Sequence, residues 1–369
     1  VRILFVIDSL GIGGAERQLV ELLKGLHATG RYELHLVTLM EVNKGYNDIV
    51  DSLGIKIKVF PRHLRYDIIS PLFPIAAYII RYNIDLVHGF LNMGSLFGLL
   101  AAKLTRKPVV CSAIRNAKDK SLKEKLLIRF IAKSADITVA NSTAGLANRF
   151  HQMKPNFKVI YNGLDFSRFD FSRLDREQLR SQLGLLGFDY VVGMVASFSE
   201  HKDHETFFLA AREVLRKLPK VAFLLVGDGK MRESLESRVR DLEIKKNVIF
   251  AGYREDVDKI YSIMDVCVLL TNAKVRLDGV ANSLIEAMVA GVPVIASAGG
   301  GTDEFLQNGK QGLVVAPYDY RGTAKAILEL LNAQGRVKDL VKEARRQVYS
   351  MFNLERYVSD YEELYKGLI

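Results

Sequence analysis

The chain is poor in several features, each of which would define a class of protein. Its 369 residues contain two cysteines, Cys111 and Cys267. Each lies in an apolar strand-like run and each is expected in a different domain, which excludes a disulfide framework, a zinc site and a Cys-Xaa-Xaa-Cys redox motif together. A reducing, cytoplasmic compartment is the simpler inference. No apolar run reaches the roughly 18–20 residues that a membrane-spanning helix needs. The nearest, Ile68 to Ile84, is broken by Pro71, Pro74 and Arg81. The first residues carry no secretory signal pattern, although a chain that starts at Val1 leaves room for a short leader or initiator methionine. No recognised nucleic-acid module accompanies the positive charge, so nucleic acid is not an expected partner. Nor is a metal. His201 and His204 have only Glu200 and Asp203 beside them, and Asp256-Val257-Asp258, which has the form of a metal-binding motif, sits where a helix begins and acids favour the dipole.

What is present is the composition of a soluble globular protein, 49% hydrophobic and 25% charged, in a chain longer than one hydrophobic core usually organises. Two domains are therefore expected. The formal net charge of +10, with a pI near 9.4, favours anionic partners without choosing among membranes, nucleic acid and phosphorylated substrates. A stripe of cations runs from Lys103, Arg106 and Lys107 through Arg115, Lys118, Lys120 and Lys123, and Lys125, Arg129 and Lys133 share one helical face. Leu122, Leu126, Leu127 and Phe130 give that helix an apolar side. Such a segment suits an anionic membrane surface, and equally a core face with a solvated face opposite.

Along the chain, Arg2 to Ile7 is an apolar strand, Asp8 to Gly14 a turn, and Ala15 to about Leu26 an amphipathic helix. Strands at Leu34–Leu39, Ile55–Phe60, Leu86–His88, Val109–Ser112, Ile137–Ala140 and Lys158–Ile160 alternate with helical segments, which predicts a parallel sheet covered on both faces. Periodicity stops near Asn162-Gly163-Leu164-Asp165, and the polar stretch 166–182 reads as a linker. A second series follows, with strands Tyr190–Ala196, Ala222–Val226, Val248–Ala251, Val266–Leu270 and Val292–Ala296. Two Rossmann-like domains, 1–165 and 183–353, account for the length. The last segment, Leu354 to Leu368, has apolar residues at helical spacing and must pack on something that spacing does not identify.

Two clusters carry chemistry. Gly11-Ile12-Gly13-Gly14-Ala15-Glu16 lies between a strand and its helix, where glycines let a phosphate approach backbone N–H groups. A dinucleotide fingerprint would need a small residue in place of Glu16, with Glu41 as the ribose acid, and a purely structural turn is the plain alternative. In Asp278-Gly279-Val280-Ala281-Asn282-Ser283-Leu284-Ile285-Glu286, Asn282 is placed to cap a helix whose first N–H groups suit a diphosphate. Asp278 and Glu286 are eight positions apart, so one acid precedes the turn and faces the sugar, while the other lies inside the helix and faces the ribose. A carboxylate is a good acceptor for vicinal hydroxyls. Glu286 is flanked by Leu284, Ile285, Ala287 and Met288, so it is expected to be buried and to need a partner.

With these residues the sequence resembles the retaining family 4 glycosyltransferases over nearly its whole length. The paired carboxylates lead into Glu286-Ala287-Met288-Val289-Ala290-Gly291-Val292-Pro293-Val294. Further matches, in order, are Gly13-Gly14-Ala15-Glu16, Val139-Ala140-Asn141-Ser142, Val159-Ile160-Tyr161-Asn162-Gly163-Leu164-Asp165, Gly227-Asp228-Gly229 and Gly252-Tyr253-Arg254. The resemblance implies the GT-B fold: two Rossmann-like domains facing each other across a cleft, with the helix at 354–369 crossing back to the first. It implies that Gly252, Tyr253 and Arg254 line the base pocket, that Glu286 binds ribose, and that the amides of Asn282, Ser283 and Leu284 hold phosphate beside Gly13 and Gly14. The family's second domain usually opens with an arginine and, five residues on, a lysine. Lys202 fits the lysine, while Ser197 stands in the arginine position, with Lys274 or Arg276 as replacement cations. Asp278 replaces the usual glutamate, and Phe90 stands where relatives carry a second histidine. His88 remains, as a catalytic candidate or a structural strand residue, and Asn92 and Arg115 are acceptor candidates.

The function so implied is metal-independent transfer of a sugar from a nucleotide diphosphate donor, most simply a UDP-sugar, to a glycan or lipid-linked acceptor. Lys202 and Asp278 act at the reacting centre, no cofactor is needed beyond the donor, and the setting is polysaccharide or lipopolysaccharide synthesis in the cytoplasm or on the inner face of the membrane. The alternative is a GT-B-fold protein that binds nucleotide or glycan without transfer.

Overall fold

The structure, a computed structural model, describes residues 1–41, 45–62, 67, 69–119 and 121–369. Ile68 and Lys120, named above in the apolar run and the cation stripe, lie outside them. The chain forms two compact units, Val1–Asp165 with Phe352–Ile369, and Phe166–Met351.

The first unit is a seven-stranded sheet of β1 (Arg2–Ile7), β2 (Glu33–Thr38), β3 (Ile57–Val59), β4 (Leu86–Phe90), β5 (Val109–Ile114), β6 (Ile137–Ala140) and β7 (Phe157–Val159). Their order is β3-β2-β1-β4-β5-β6-β7, and every ladder is parallel. Alternation along β1 shows why the strand runs are almost continuously apolar. Ile3, Phe5 and Ile7 enter the core on the side of the Gly14–Ala28 helix, and Leu4 and Val6 enter the core on the other side. That second side is covered by the helices Ile69–Arg81, Asn92–Leu104 and Leu122–Ser134.

The terminal helix, Leu354–Lys366, belongs to the first unit. Tyr357, Tyr361 and Tyr365 recur every fourth residue, so they fall on one helical stripe, and all three are buried with the Gly14–Ala28 helix. Contact there is close: a Cβ on Gly25 would lie 2.2 Å from Val358, and one on Gly163 would lie 2.6 Å from the Tyr357 ring.

The second unit carries β8 (Tyr190–Val195), β9 (Val221–Val226), β10 (Val248–Gly252), β11 (Val266–Leu269), β12 (Val294–Ser297) and β13 (Leu313–Val315). They form an all-parallel sheet in the order β10-β9-β8-β11-β12-β13. The three-residue β13 is too short to show a period and is not among the strands read from sequence.

The polar stretch 166–182, expected as a linker, is folded into this unit. Phe166 meets the edge of the Tyr349 ring at 4.4 Å, Arg168 lies 3.9 Å from Asp258, and Asp175 caps the Arg176–Gln182 helix by accepting from the Gln178 amide at 2.9 Å. At the other boundary, Phe352 is fully buried and packs edge-on to Tyr161 at 5.8 Å, so the return to the first unit falls before it. No helix among the described residues is long and apolar enough to cross a membrane.

Candidate active site

In an open parallel sheet, connections from the two central strands leave in opposite directions, which opens a crevice at their carboxyl ends. In the second unit those strands are β8 and β11. The loop after β8 is held by glycines: a Cβ on Gly227, at φ +144°, would lie 2.0 Å from the Ala196 carbonyl oxygen, and one on Gly229 would lie 2.4 Å from that of Phe198. The loop then crosses to β11, where Lys202 pairs with Thr271 in an isolated antiparallel bridge and the Asp203 amide donates to the Leu270 carbonyl at 3.0 Å. Asp203 caps the His204–Leu215 helix through the Thr206 amide at 3.0 Å.

This crossing aims Lys202 at Asp278, 76 residues away, and its Nζ donates to Asp278 Oδ2 at 2.6 Å. Side-chain exposures of 10% and 20% leave the pair mostly shielded and still reachable. Thr271 Oγ1 donates to the same oxygen at 3.0 Å. Burial alone would push the Asp278 carboxyl up, but the Lys202 ammonium, with smaller help from His201 and Thr271, brings it below the usual carboxylate value. An ammonium has three donors, and Asp278 takes one of them. Behind the acid, the Gly301 amide donates to the Asp278 carbonyl at 3.1 Å. A Cβ on Gly300, at φ +70°, would come within 2.3 Å of that carbonyl oxygen. Thr271 and the glycines 299–301 are site residues that sequence reading passed over. Three consecutive glycines, separated from a predicted strand by Ser297 and Ala298, were the available signal.

The acid loop runs into the Asn282–Ala290 helix, and here the expected cap moves by one residue. Ala281, in extended conformation at φ −87° and ψ 111°, is the N-cap, and Asn282 is the first helical residue. Alanine has no side-chain oxygen to return to the opening amides, so this helix end receives no hydrogen bond from its own N-cap side chain. Tyr261 donates to the Ser283 carbonyl at 3.0 Å, and Leu284 is fully buried. Glu286 is 4% exposed, as its apolar neighbours predict. Its charge adds to burial in pushing the Cys267 thiol up to about 12.

The other second-unit candidates lie at the end of β10 and on the loops after β8, β10 and β11. Gly252 takes φ +70° and Tyr253 is exposed. Arg254 donates twice to Asp256 at 2.8 Å, which raises the guanidinium and holds the Asp256 carboxyl low. Asp256 is thus tied to an arginine, and among the described residues no group of three His, Cys, Asp or Glu side chains is placed to hold a metal. Ser197 is exposed, its Oγ 2.9 Å from Ser199 Oγ, which is in turn 2.9 Å from His201 Nδ1. Of the replacement cations, Lys274 places its ammonium 5.1 Å from the centre of the Tyr318 ring.

The first-unit candidates divide. A Cβ on Gly13 would meet Glu16 Oε2 at 2.0 Å, so the Glu16 carboxylate of the same turn already occupies the space over Gly13, where Gly14 opens the helix. Burial raises Glu16, and nearby Asp8 adds to the shift while Arg115 opposes it. Arg115 donates from Nη2 to Asn162 Oδ1 at 2.9 Å, while its Nε and Nη1 are buried and find no hydrogen-bond partner among the described residues. Asn92 donates to Glu124 at 3.1 Å.

His88 does not line an accessible surface. It is 0% exposed, with Nδ1 2.7 Å from Tyr365 Oη and Nε2 2.8 Å from Ser112 Oγ. Burial, with Arg115 adding to it, pushes the imidazole well below its ordinary value. Both ring nitrogens are engaged inside the core, and the side chain ties β4 and β5 to the terminal helix, which is the structural role left open for it by the sequence.

Two Rossmann-like units, the first completed by the terminal helix, have the architecture of the GT-B fold, and the family models that the chain matches make it a glycosyltransferase of that fold. Its halves match two family models, Glycosyltransferase Family 4 over residues 12–168 and Glycosyl transferases group 1 over residues 175–347. The fold is shared with Anabaena Alr3699/HepE, solved with UDP and glucose, at a TM-score of 0.87 and 22% identity over 99% of both chains. In sequence, the chain is 30% identical over 246 residues to N-acetyl-alpha-D-glucosaminyl L-malate synthase of Bacillus anthracis, a stretch that covers 66% of this chain and 62% of that relative's length. It is 25% identical over 306 residues to the UDP-Gal:alpha-D-GlcNAc-diphosphoundecaprenol alpha-1,3-galactosyltransferase of Escherichia coli, covering 77% of this chain and 76% of the relative.

Proposed function

We propose that the chain transfers a sugar from a UDP-sugar to a glycan or lipid-linked acceptor at the inner face of a membrane, with retention, in the assembly of a cell-envelope polysaccharide or lipopolysaccharide. The observation that carries the reading is the Lys202–Asp278 pair at 2.6 Å, beside the opening of the Asn282–Ala290 helix. A uridine donor is supported by the UDP bound to Anabaena Alr3699/HepE and by the UDP-Gal named for the Escherichia coli relative.

In this reading the diphosphate sits against the N-terminus of the Asn282–Ala290 helix, where the Leu284 amide itself donates to the Ala281 carbonyl at 3.2 Å, and against the remaining N–H groups of Lys202. Both are positive where charge develops as the bond from the anomeric carbon to phosphate oxygen breaks. Asp278 accepts from a sugar hydroxyl, Glu286 accepts from the ribose hydroxyls, and Gly252, Tyr253 and Arg254 line the base. The acceptor oxygen, with Asn92 and Arg115 as candidates to bind the acceptor, bonds to the anomeric carbon, and its proton passes to the departing phosphate. No side chain then has to be a strong base, and no metal is required if the ammonium and helix amides neutralise the diphosphate.

Removing one preorganised donor from such a site typically costs about 3 kcal/mol, or roughly a hundredfold or more in turnover. Lys202→Ala is expected to show that loss with UDP-sugars, and Glu286→Ala is expected to raise KM through lost ribose contacts. Unchanged turnover in both variants would reject the assignment. A thermal-shift screen across UDP, GDP and ADP identifies the base by a selective rise.

A further inference from the structure

The Leu122–Ser134 helix has two apolar sides. Its core side is Ile128, Ile131 and Ala132, which are buried. Leu122, Leu126 and Phe130, spaced by four and therefore in one line, lie on the opposite side and are 70%, 56% and 49% exposed. Among the described residues none buries them. The adjoining helices of the same layer add exposed Phe73, Ile80 and Leu104. Apolar surface repeated across one layer is unusual for a face meant only for water.

The charge around this line is mostly positive. Lys123, Lys125, Arg129 and Lys133 flank it on the same helix, against the single carboxylate of Glu124, which accepts from Asn92. Arg129 and Lys133 also line a cavity of about 350 Å³ with His151, Lys154 and Arg149; Arg149 is paired with Asp119 and its carbonyl accepts from Arg129 at 3.3 Å, and the lining itself contains no acidic residue. Phe150 and Phe157, their rings 4.6 Å apart, supply its apolar part.

We propose that this face docks on an anionic bilayer: Leu122, Leu126 and Phe130 enter the acyl boundary, and the Arg129, Lys133, His151 and Lys154 cavity takes the phosphate of a lipid headgroup. The chemistry matches an interfacial helix, in which long cationic side chains keep their charges at headgroup level while the apolar line goes deeper. The surface supplies the membrane contact that a lipid-linked acceptor would need, and it rests on the functional reading only in that respect.

Co-sedimentation of the full chain, without any sugar donor, tests it. Binding is expected to vesicles of phosphatidylcholine mixed with phosphatidylglycerol, not to phosphatidylcholine alone, and it should weaken as salt rises. Arg129→Gln or Lys133→Gln should each lower partitioning roughly fivefold. Leu126→Ser and Phe130→Ser should each lower it on the order of tenfold or more. Because these residues are exposed, the variants should keep the parent's thermal-unfolding midpoint, which separates a lost surface from a lost fold. Equal binding to both vesicle types, wild-type binding by the serine variants, or a lipid-free dimer that Phe130→Ser dissolves would each overturn the proposal. Failure of transfer with intact vesicle binding would instead count against the functional reading alone.

Discussion

Asp278→Asn should separate two effects that the Lys202–Asp278 pair combines. At 2.6 Å the gross attraction is about 6 kcal/mol at an effective dielectric of 20, and most of it offsets the removal of both charges from water. Asparagine keeps an acceptor for Thr271 but takes the counter-charge from an ammonium that is only 10% exposed. A fully buried pair broken in this way loses about 3–5 kcal/mol. With Asp278 20% exposed, about 2 kcal/mol is a fair discount, which lowers the Tm of a unit this size by roughly 4–8 °C. A diphosphate returns the missing negative charge. UDP should therefore raise the Tm of Asp278→Asn more than that of the parent, even though transfer falls because the sugar reader is gone. Lys202→Ala should show the reverse, with little or no UDP shift. Thermal denaturation of the three proteins with and without saturating UDP reads both effects. A UDP shift in Asp278→Asn no larger than the parent's would refute the idea that acid and diphosphate share one ammonium.

Two further outcomes follow from the same unit. His204 is buried, and burial brings its imidazole down from 6.5 to about 4, with Lys202 and His201 adding to the shift against the Lys202 carbonyl. Above pH 6.5 neither folded nor unfolded chain is protonated there. As the pH falls from 6.5 toward 4 the unfolded chain takes the proton first, so roughly 3 kcal/mol of stability should drain away across that window. Urea denaturation at stepped pH should show a shallower decline for His204→Leu, and parallel slopes would sink the prediction. Gly300→Ala adds a clash with the Asp278 carbonyl to the cost of a positive φ, whereas Gly187→Ala, at φ +94° with open space around it, pays the backbone cost alone. The first should lose clearly more stability than the roughly 1 kcal/mol expected of the second and should also lower turnover. Equal losses would show that Gly300 does not hold the acid in place.

What was legible in the sequence was what neighbours in the chain decide. Strands such as β1 and β9 are continuous apolar runs because both faces of a parallel sheet are covered, and that pattern survives in one dimension. Where the ends of an element matter, one residue was enough to miss. Asn282 is the better capping side chain, yet the backbone leaves the helix at Ala281, and only the conformation of that residue locates the turn. Contacts across the chain left still less trace. The period of the last helix showed that it must pack, but Tyr365 finds His88 across 277 residues, a separation on which periodicity is silent. The same limit explains the Leu122–Ser134 helix. Leu122, Leu126, Leu127 and Phe130 were read as one apolar side, whereas the packed structure buries Ile128, Ile131 and Ala132 and leaves three of those four exposed. A helix with apolar residues on two arcs does not disclose which arc its own sheet will take. Once the sheet has taken one, the cations flanking the other become evidence about a second apolar medium.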